Sequence, residues 1–372
     1  MRLPRRQFMG VLGATTLAAV ARVSTKVGKR TGTVAYLGSY SSDGGDGLDV
    51  ASVDASTGAL TVTAKVTGVP DASWLALSAD GRFLYTTNEQ DPTGSVTALD
   101  RSNPQKPVVL NKQSTKGDAP THLSVHPSGK YLMSANYGSG TVAVFPLGTD
   151  GRIGALTDLV AHTGGSGGQP LAHQIITDPS GQWVLSVDLG NDSVYVYSLD
   201  LSTGKLTQHQ QVVVATGTGP RHLVFHQDGE HVYLVCEDKS QVIVLEWDAT
   251  AGRLTAGQIV GTVEAGATMP NYPGEGALSS DGKFLYVSNR GDNSIATFAV
   301  SPDGATLTLL RTIPVGGDWP RHVTLDPTER WLYVSNQNSG TVTWLPRDPA
   351  SGVVSAVAGS AKTTAVAMVL FE

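Results

Sequence analysis

The chain has a single cysteine, Cys236, in 372 residues, so no intrachain disulfide can form and stability must come from packing. No stretch sustains a helical period of apolar residues, which argues against a helix-rich fold. The mildly apolar run from Met9 to Ala21 is shorter than the 18 or so residues of a membrane-spanning helix. Nor is there a basic excess: 26 Lys and Arg stand against 32 Asp and Glu, a balance that favours neither nucleic acid nor an anionic membrane. What the chain does have is punctuation. Its 43 glycines and 19 prolines separate segments crowded with Val, Thr, Tyr, Trp and Ser, the composition of an all-β protein with many turns.

The first residues stand apart. Pro4-Arg5-Arg6-Gln7-Phe8-Met9 precedes the apolar run, and Ala19-Val20-Ala21 supplies the small residues a signal peptidase accepts. This resembles a twin-arginine export signal. Residues 1–30 are expected to be leader and short linker, and residues 31–372 one domain. Cleavage after Ala21 removes Arg2, Arg5 and Arg6 and no acid, leaving 23 basic against 32 acidic groups.

Six segments repeat one pattern, LALSADGRFLYTTN, LSVHPSGKYLMSAN, QIITDPSGQWVLSVD, LVFHQDGEHVYLVC, GALSSDGKFLYVSN and VTLDPTERWLYVSN. Each is a short strand, a polar turn and a strand of alternating residues. The turn slot is held by Gly81, Gly129, Gly181, Gly229, Gly282 and Glu329, at spacings of 48, 52, 48, 53 and 47. A period near 50 is the length of a β-propeller blade, and two further strands per unit complete four antiparallel strands. A seventh unit is divided between the chain ends: 33–40 reads as a second strand without its partner and 364–370 as the missing first strand. Pairing them closes the ring and hides two sheet edges. The expectation is an all-β, seven-bladed propeller closed by its C-terminal strand.

In such a blade the first strand leaves the rim to which the second returns, so both slots can be counted along the repeat. Eight residues before the turn slot stand Ser73, Thr121, His173, Arg221, Gly274 and Arg321; eight after it stand Glu89, Tyr137, Leu189, Glu237, Arg290 and Gln337. Neighbouring slots add His122, His222, Glu275, Asp188, Asn136, Asn289 and Asn336. A pure scaffold repeats the same residue in every rim slot; here His173, Arg221, Glu237 and Arg290 interrupt the pattern. An acid/base pair beside cations is what lactone hydrolysis needs, an activated water and a stabilised oxyanion.

Taken in order, Trp74-Leu75-Ala76-Leu77-Ser78, Asn88-Glu89, Ala135-Asn136-Tyr137, Ala172-His173, Val187-Asp188-Leu189-Gly190, Gly219-Pro220-Arg221-His222-Leu223, Glu275 and Ser288-Asn289-Arg290-Gly291 resemble the seven-bladed lactonases, which include the propeller-type 6-phosphogluconolactonases and the carboxymuconate lactonizing enzyme. The resemblance implies catalytic roles for His173, Glu237, Arg221 and Arg290, with Glu275, Asn289, Arg321, His222 and Asn136 binding substrate. It implies a small-molecule lactone substrate, no cofactor and no metal. Val235-Cys236-Glu237-Asp238 departs from the family, which usually has Asn before the acid. The leader also departs, because phosphogluconolactone is cytosolic; an exported relative is expected to act on an unphosphorylated sugar lactone or another lactone, or to have lost catalysis, and to be extracellular, periplasmic or cell-wall associated. Whether His173 or Glu237 is the base stays open at this level.

Leu285-Tyr286-Val287-Ser288-Asn289 and Leu332-Tyr333-Val334-Ser335-Asn336 also resemble the YVTN repeats of binding propellers, so a non-catalytic binding module is the competing expectation, with a muconate-lactonizing cyclase as a second enzymatic one. Gly164-Gly165-Ser166-Gly167-Gly168 matches the nucleophile-elbow pattern but no helix is expected after it. The pairs His122/His126 and His222/His226 are too widely spaced on a strand, about 13 Å, to share one zinc ion. Asp43-Gly44-Gly45-Asp46-Gly47 lacks the remaining positions of a calcium loop and reads as a hairpin tip.

Overall fold

A computed structural model describes residues 33–372 apart from 265, 268 and 269. The leader and linker expected over residues 1–30 lie outside the described residues. Seven four-stranded antiparallel sheets form the blades, and no helix occurs among the described residues. The innermost strands are Leu75–Leu77, Pro120–Val125, Ala172–Thr177, Pro220–Phe225, Tyr272–Leu278, Pro320–Leu325 and Val366–Phe371, which open blades 1 to 7 in that order. Each touches the next and the last touches the first, so they wall a central channel.

The ring closes as the split repeat requires. Val366–Phe371 pairs antiparallel with Thr33–Ser39 in the register Tyr36↔Leu370, Leu37↔Val369 and Gly38↔Met368. The strand begins two residues later than the sequence pattern suggests, because Ala365 adopts a left-handed φ of +50° and its carbonyl accepts from Tyr40 N.

Alternation along the second strands sends one set of side chains to each neighbouring blade. Seven apolar clusters result, one between every adjacent pair of blades. Tyrosines of the second strands then reach across. Tyr85, Tyr233, Tyr286 and Tyr333 donate to the carbonyls of Gly151, Gly304, Gly352 and Gly58 in the following blades, at 3.1, 3.0, 2.9 and 2.6 Å. A buried phenol needs such a partner. Stability is therefore a sum over neighbour interfaces that fails as a whole if one blade is removed.

The hairpin turn explains why its slot favours glycine. Gly282 sits at φ +74°, with its N–H on Ser279 O, while Ser279 Oγ donates to Asp281. Glu329 adopts φ +53° in the same slot of blade 6, and its carboxylate is engaged by Arg347 Nη1 at 3.3 Å and Ser280 N at 2.7 Å.

One feature of the inner strands positions the site. The pairing of first with second strand slips by a residue at Pro120/His122, Ala172/Gln174, Pro220/His222 and Pro320/His322, and by a wider step at Pro273/Gly276. These are β-bulges, which re-aim side chains. At two of them consecutive residues, Arg221 with His222 and Arg321 with His322, thereby both line the channel interior.

Candidate functional site at one mouth of the channel

At the rim where first strands begin, a cavity of about 170 Å³ is lined by Glu89, Thr121, Tyr137, His173, Glu237, Arg290 and Arg321. Arg221 lies just beneath, lining a void of about 10 Å³ with His173, His222, Arg321 and His322. The counted rim slots thus converge in space. A larger cavity of about 760 Å³ opens at the opposite mouth; of its acids, Asp281 and Glu329 are bonded to Ser279 and Lys283 and to Ser280 and Arg347, Asp326 accepts from Thr328 and Trp331 N, and Glu275 reaches it from the channel interior. No arginine or lysine lines it. The charged groups counted at the rim line the smaller one.

Glu237 Oε2 joins two guanidiniums, Arg290 Nη2 at 2.5 Å and Arg221 Nε at 3.3 Å. Arg290 is fixed from behind, donating to the carbonyls of Tyr272 at 2.8 Å and Pro273 at 3.2 Å, and it lies over the ring of Trp319. Burial lowers the Arg290 guanidinium from its ordinary value against the pull of Glu237. Burial, then Arg290 and Arg321, bring Arg221 down to about 9, still protonated at neutral pH. Across the cavity Arg321 faces Glu89 at 3.7 Å, and Tyr40 donates to the same carboxylate at 2.8 Å.

His173 completes the lining. Its backbone carbonyl accepts from Thr121 Oγ1 and its ring packs edge-on to Tyr137. Ring Nδ1 lies 3.2 Å from His222 Nε2, which leaves Nε2 as the nitrogen available to a molecule in the cavity. Burial first, then Arg221, holds the imidazole well below its usual pKa, so it is neutral and able to accept a proton.

Not every candidate reaches the cavity. Asn136 Nδ2 donates to Thr141 Oγ1, and Asn289 Nδ2 donates to Thr262 O at 2.8 Å, so both are blade hooks outside the lining. Asn88 and Asn336 do the same work in their blades. A residue that recurs in the same slot of several blades belongs to the scaffold. His222 lies behind the lining, in the channel interior, and Glu275 beyond it lines the larger cavity at the opposite mouth. Asp188 is buried against His162 at 2.7 Å. Ser166 donates to Asp192 in a surface loop with no following helix, and His126 bonds Ser128. Sequence counting had placed Glu89 and Tyr137 at the rim without singling them out, and it missed Tyr40 and His322. For His322 a signal existed: Pro320-Arg321-His322 repeats Pro220-Arg221-His222.

The family described as "Lactonase, 7-bladed beta-propeller" matches residues 34–371. The 6-phosphogluconolactonase of Bacillus subtilis is 32% identical over 325 residues, covering 86% of this chain and 92% of that protein. A periplasmic gluconolactonase of Pseudomonas aeruginosa superimposes with a TM-score of 0.87 at 29% identity, over 92% of this chain and 99% of the other. A structure described as a putative 6-phosphogluconolactonase from Bacteroides fragilis gives a TM-score of 0.86 at 28% identity, over 94% and 100%.

Proposed function

The chain belongs to the seven-bladed β-propeller lactonases, and from that membership we propose that it is an exported carboxylic ester hydrolase that opens an unphosphorylated sugar-type lactone to its hydroxy acid. One observation carries the reading: a neutral imidazole and two arginines, Arg290 and Arg321, line the same cavity. At about 170 Å³ the cavity is below the 300–1,000 Å³ usual for larger ligands, which suits a single ring. Glu237 occupies Arg221 and Arg290, and Glu89 faces Arg321. Little uncompensated positive charge is left for a phosphate, whereas a polarised carbonyl oxygen needs only a donor.

In this mechanism His173 Nε2 takes the proton of the attacking water and an arginine N–H stabilises the oxygen of the tetrahedral intermediate. Glu237 Oε2 is held between two guanidiniums, and its part is to keep them oriented. The leader and the periplasmic relative support action outside the cytoplasm. Lactones also open unaided in water, so the test measures proton release above that background for the mature protein against aldonolactones, phosphorylated and not. Turnover of an unphosphorylated sugar lactone supports the proposal. No turnover of any lactone rejects it in favour of a binding propeller.

A further inference from the structure

Three ionisable side chains meet inside the channel behind the cavity. His173 comes from blade 3, His222 from blade 4 and Glu275 from blade 5. His173 Nδ1 lies 3.2 Å from His222 Nε2, and His222 Nδ1 lies 2.5 Å from Glu275 Oε2. All three are buried; His173 lines the small cavity, Glu275 lines the larger one at the opposite mouth, and His222 lies between them. The contact between His222 and Glu275 is close without being collinear with the ring N–H. At that separation a ring nitrogen and a carboxylate oxygen need a proton between them, since two lone pairs would repel.

The charge on Glu275 then sets the order of protons along the chain. If Glu275 is a carboxylate, His222 carries its proton on Nδ1 and offers Nε2 as an acceptor. His173 must then donate from Nδ1, and its Nε2 lone pair is turned toward the cavity. The alternative, an imidazolium on His173, is opposed by burial and by Arg221, Arg321 and Arg290. Burial raises the affinity of Glu275 for a proton, so its carboxylate is a ready acceptor at the end of the chain.

We propose, resting on the lactonase reading, that Glu275 and His222 are positioning residues of a proton relay through which His173 activates water without ever carrying a charge. The water O–H bond breaks as its oxygen bonds the lactone carbonyl carbon and the carbonyl pair moves onto oxygen. The released proton bonds His173 Nε2; the Nδ1 proton of His173 passes to His222 Nε2, and the Nδ1 proton of His222 passes to Glu275 Oε2. Both rings end neutral in the opposite tautomer. The negative charge has left a buried carboxylate and appears on an oxyanion beside Arg290 and Arg321. When the bond to the ring oxygen breaks, the relay runs backward, protonates the leaving alkoxide from His173 Nε2 and restores the carboxylate.

Two measurements test this. In mature protein labelled with ¹⁵N-histidine, NMR assigns the tautomers; His173 and His222 are expected to be protonated at Nδ1, and Glu275→Gln, whose amide donates to His222 Nδ1, moves both protons to Nε2. In kinetics Glu275→Gln lowers kcat by about 10²-fold with KM little changed, and Glu275→Asp recovers part of it. Should Glu275→Gln not fold, His222→Gln breaks the same chain, with the same expected loss of kcat. A lactonase-active parent whose folded variant, Glu275→Gln or His222→Gln, keeps parental kcat overturns the relay and leaves the proposed function standing; so does an unchanged His173 tautomer in Glu275→Gln. A parent that opens no lactone overturns the proposed function and, with it, the relay, whatever the tautomer spectra show.

Discussion

The channel interior makes stability depend on pH in a calculable way. His122, His173, His222 and His322 are buried there, and burial first, with Arg221 in the same direction, depresses all four. For His322 the value is brought to about 4 although Glu275 pulls the other way. The unfolded chain protonates each histidine near pH 6.5 while the folded chain does not. Below that pH the unfolded state binds more protons, so stability falls as the pH falls, and for His322 the loss levels off only near 4. A histidine that stays neutral throughout costs about 2 kcal/mol between pH 7 and pH 5, or about 8 for four, against a usual total of 5–15 kcal/mol. Asp49, pushed up to about 6 by burial, and Glu275, also raised by burial, take up protons in the folded state first and offset part of this. A net loss of about 5 kcal/mol lowers Tm by roughly 10 °C. Calorimetry at matched ionic strength is the assay, with His122→Gln expected to flatten the pH dependence by about a quarter of the histidine contribution. Equal Tm at pH 7 and pH 5 would refute the reasoning.

Three further outcomes are expected. Deleting residues 366–372 removes Val366, Met368 and Val369, which are at most 2% exposed; at about 1.5–3 kcal/mol each their loss rivals the total stability, so the truncated chain should aggregate, and a sharp parental melt would contradict ring closure. Arg290→Ala leaves Glu237 with Arg221 alone and should lower kcat by about 10²–10³-fold if Arg290 serves the oxyanion, whereas a rise confined to KM would place it on a ground-state anion. Replacing Arg5 and Arg6 by Lys should retain the precursor in the cytoplasm, read by fractionation; unchanged export would mean a different route.

The blades were legible because they rest on local physics. Period-2 alternation, the turn slot around Gly282 and the spacing near 50 residues all follow from sequence neighbours, and the orphan strand at each end of the chain implied closure. The same periodicity placed His173, Arg221, Glu237 and Arg290 at one rim, where they are found. What the period could not separate was role within a slot. Asn136 and Asn289 end their second strands beside the rim residues, yet their amides turn into the blade, onto Thr141 and Thr262.

The choice between His173 and Glu237 was likewise beyond the sequence, because it depends on partners drawn from other blades. Glu237 meets Arg290 across a blade boundary, and His173 meets His222 across another. The bulges at Ala172/Gln174 and Pro220/His222 decide which side chains face inward, and a bulge is a one-residue slip that no strand pattern announces. Sequence alone therefore determined the repeat, the ring and the rim. Only the tertiary structure set the contacts between blades, and with them the charge on each carboxylate's neighbour and the free nitrogen of each imidazole, because those are fixed by groups about 50 residues apart in the chain.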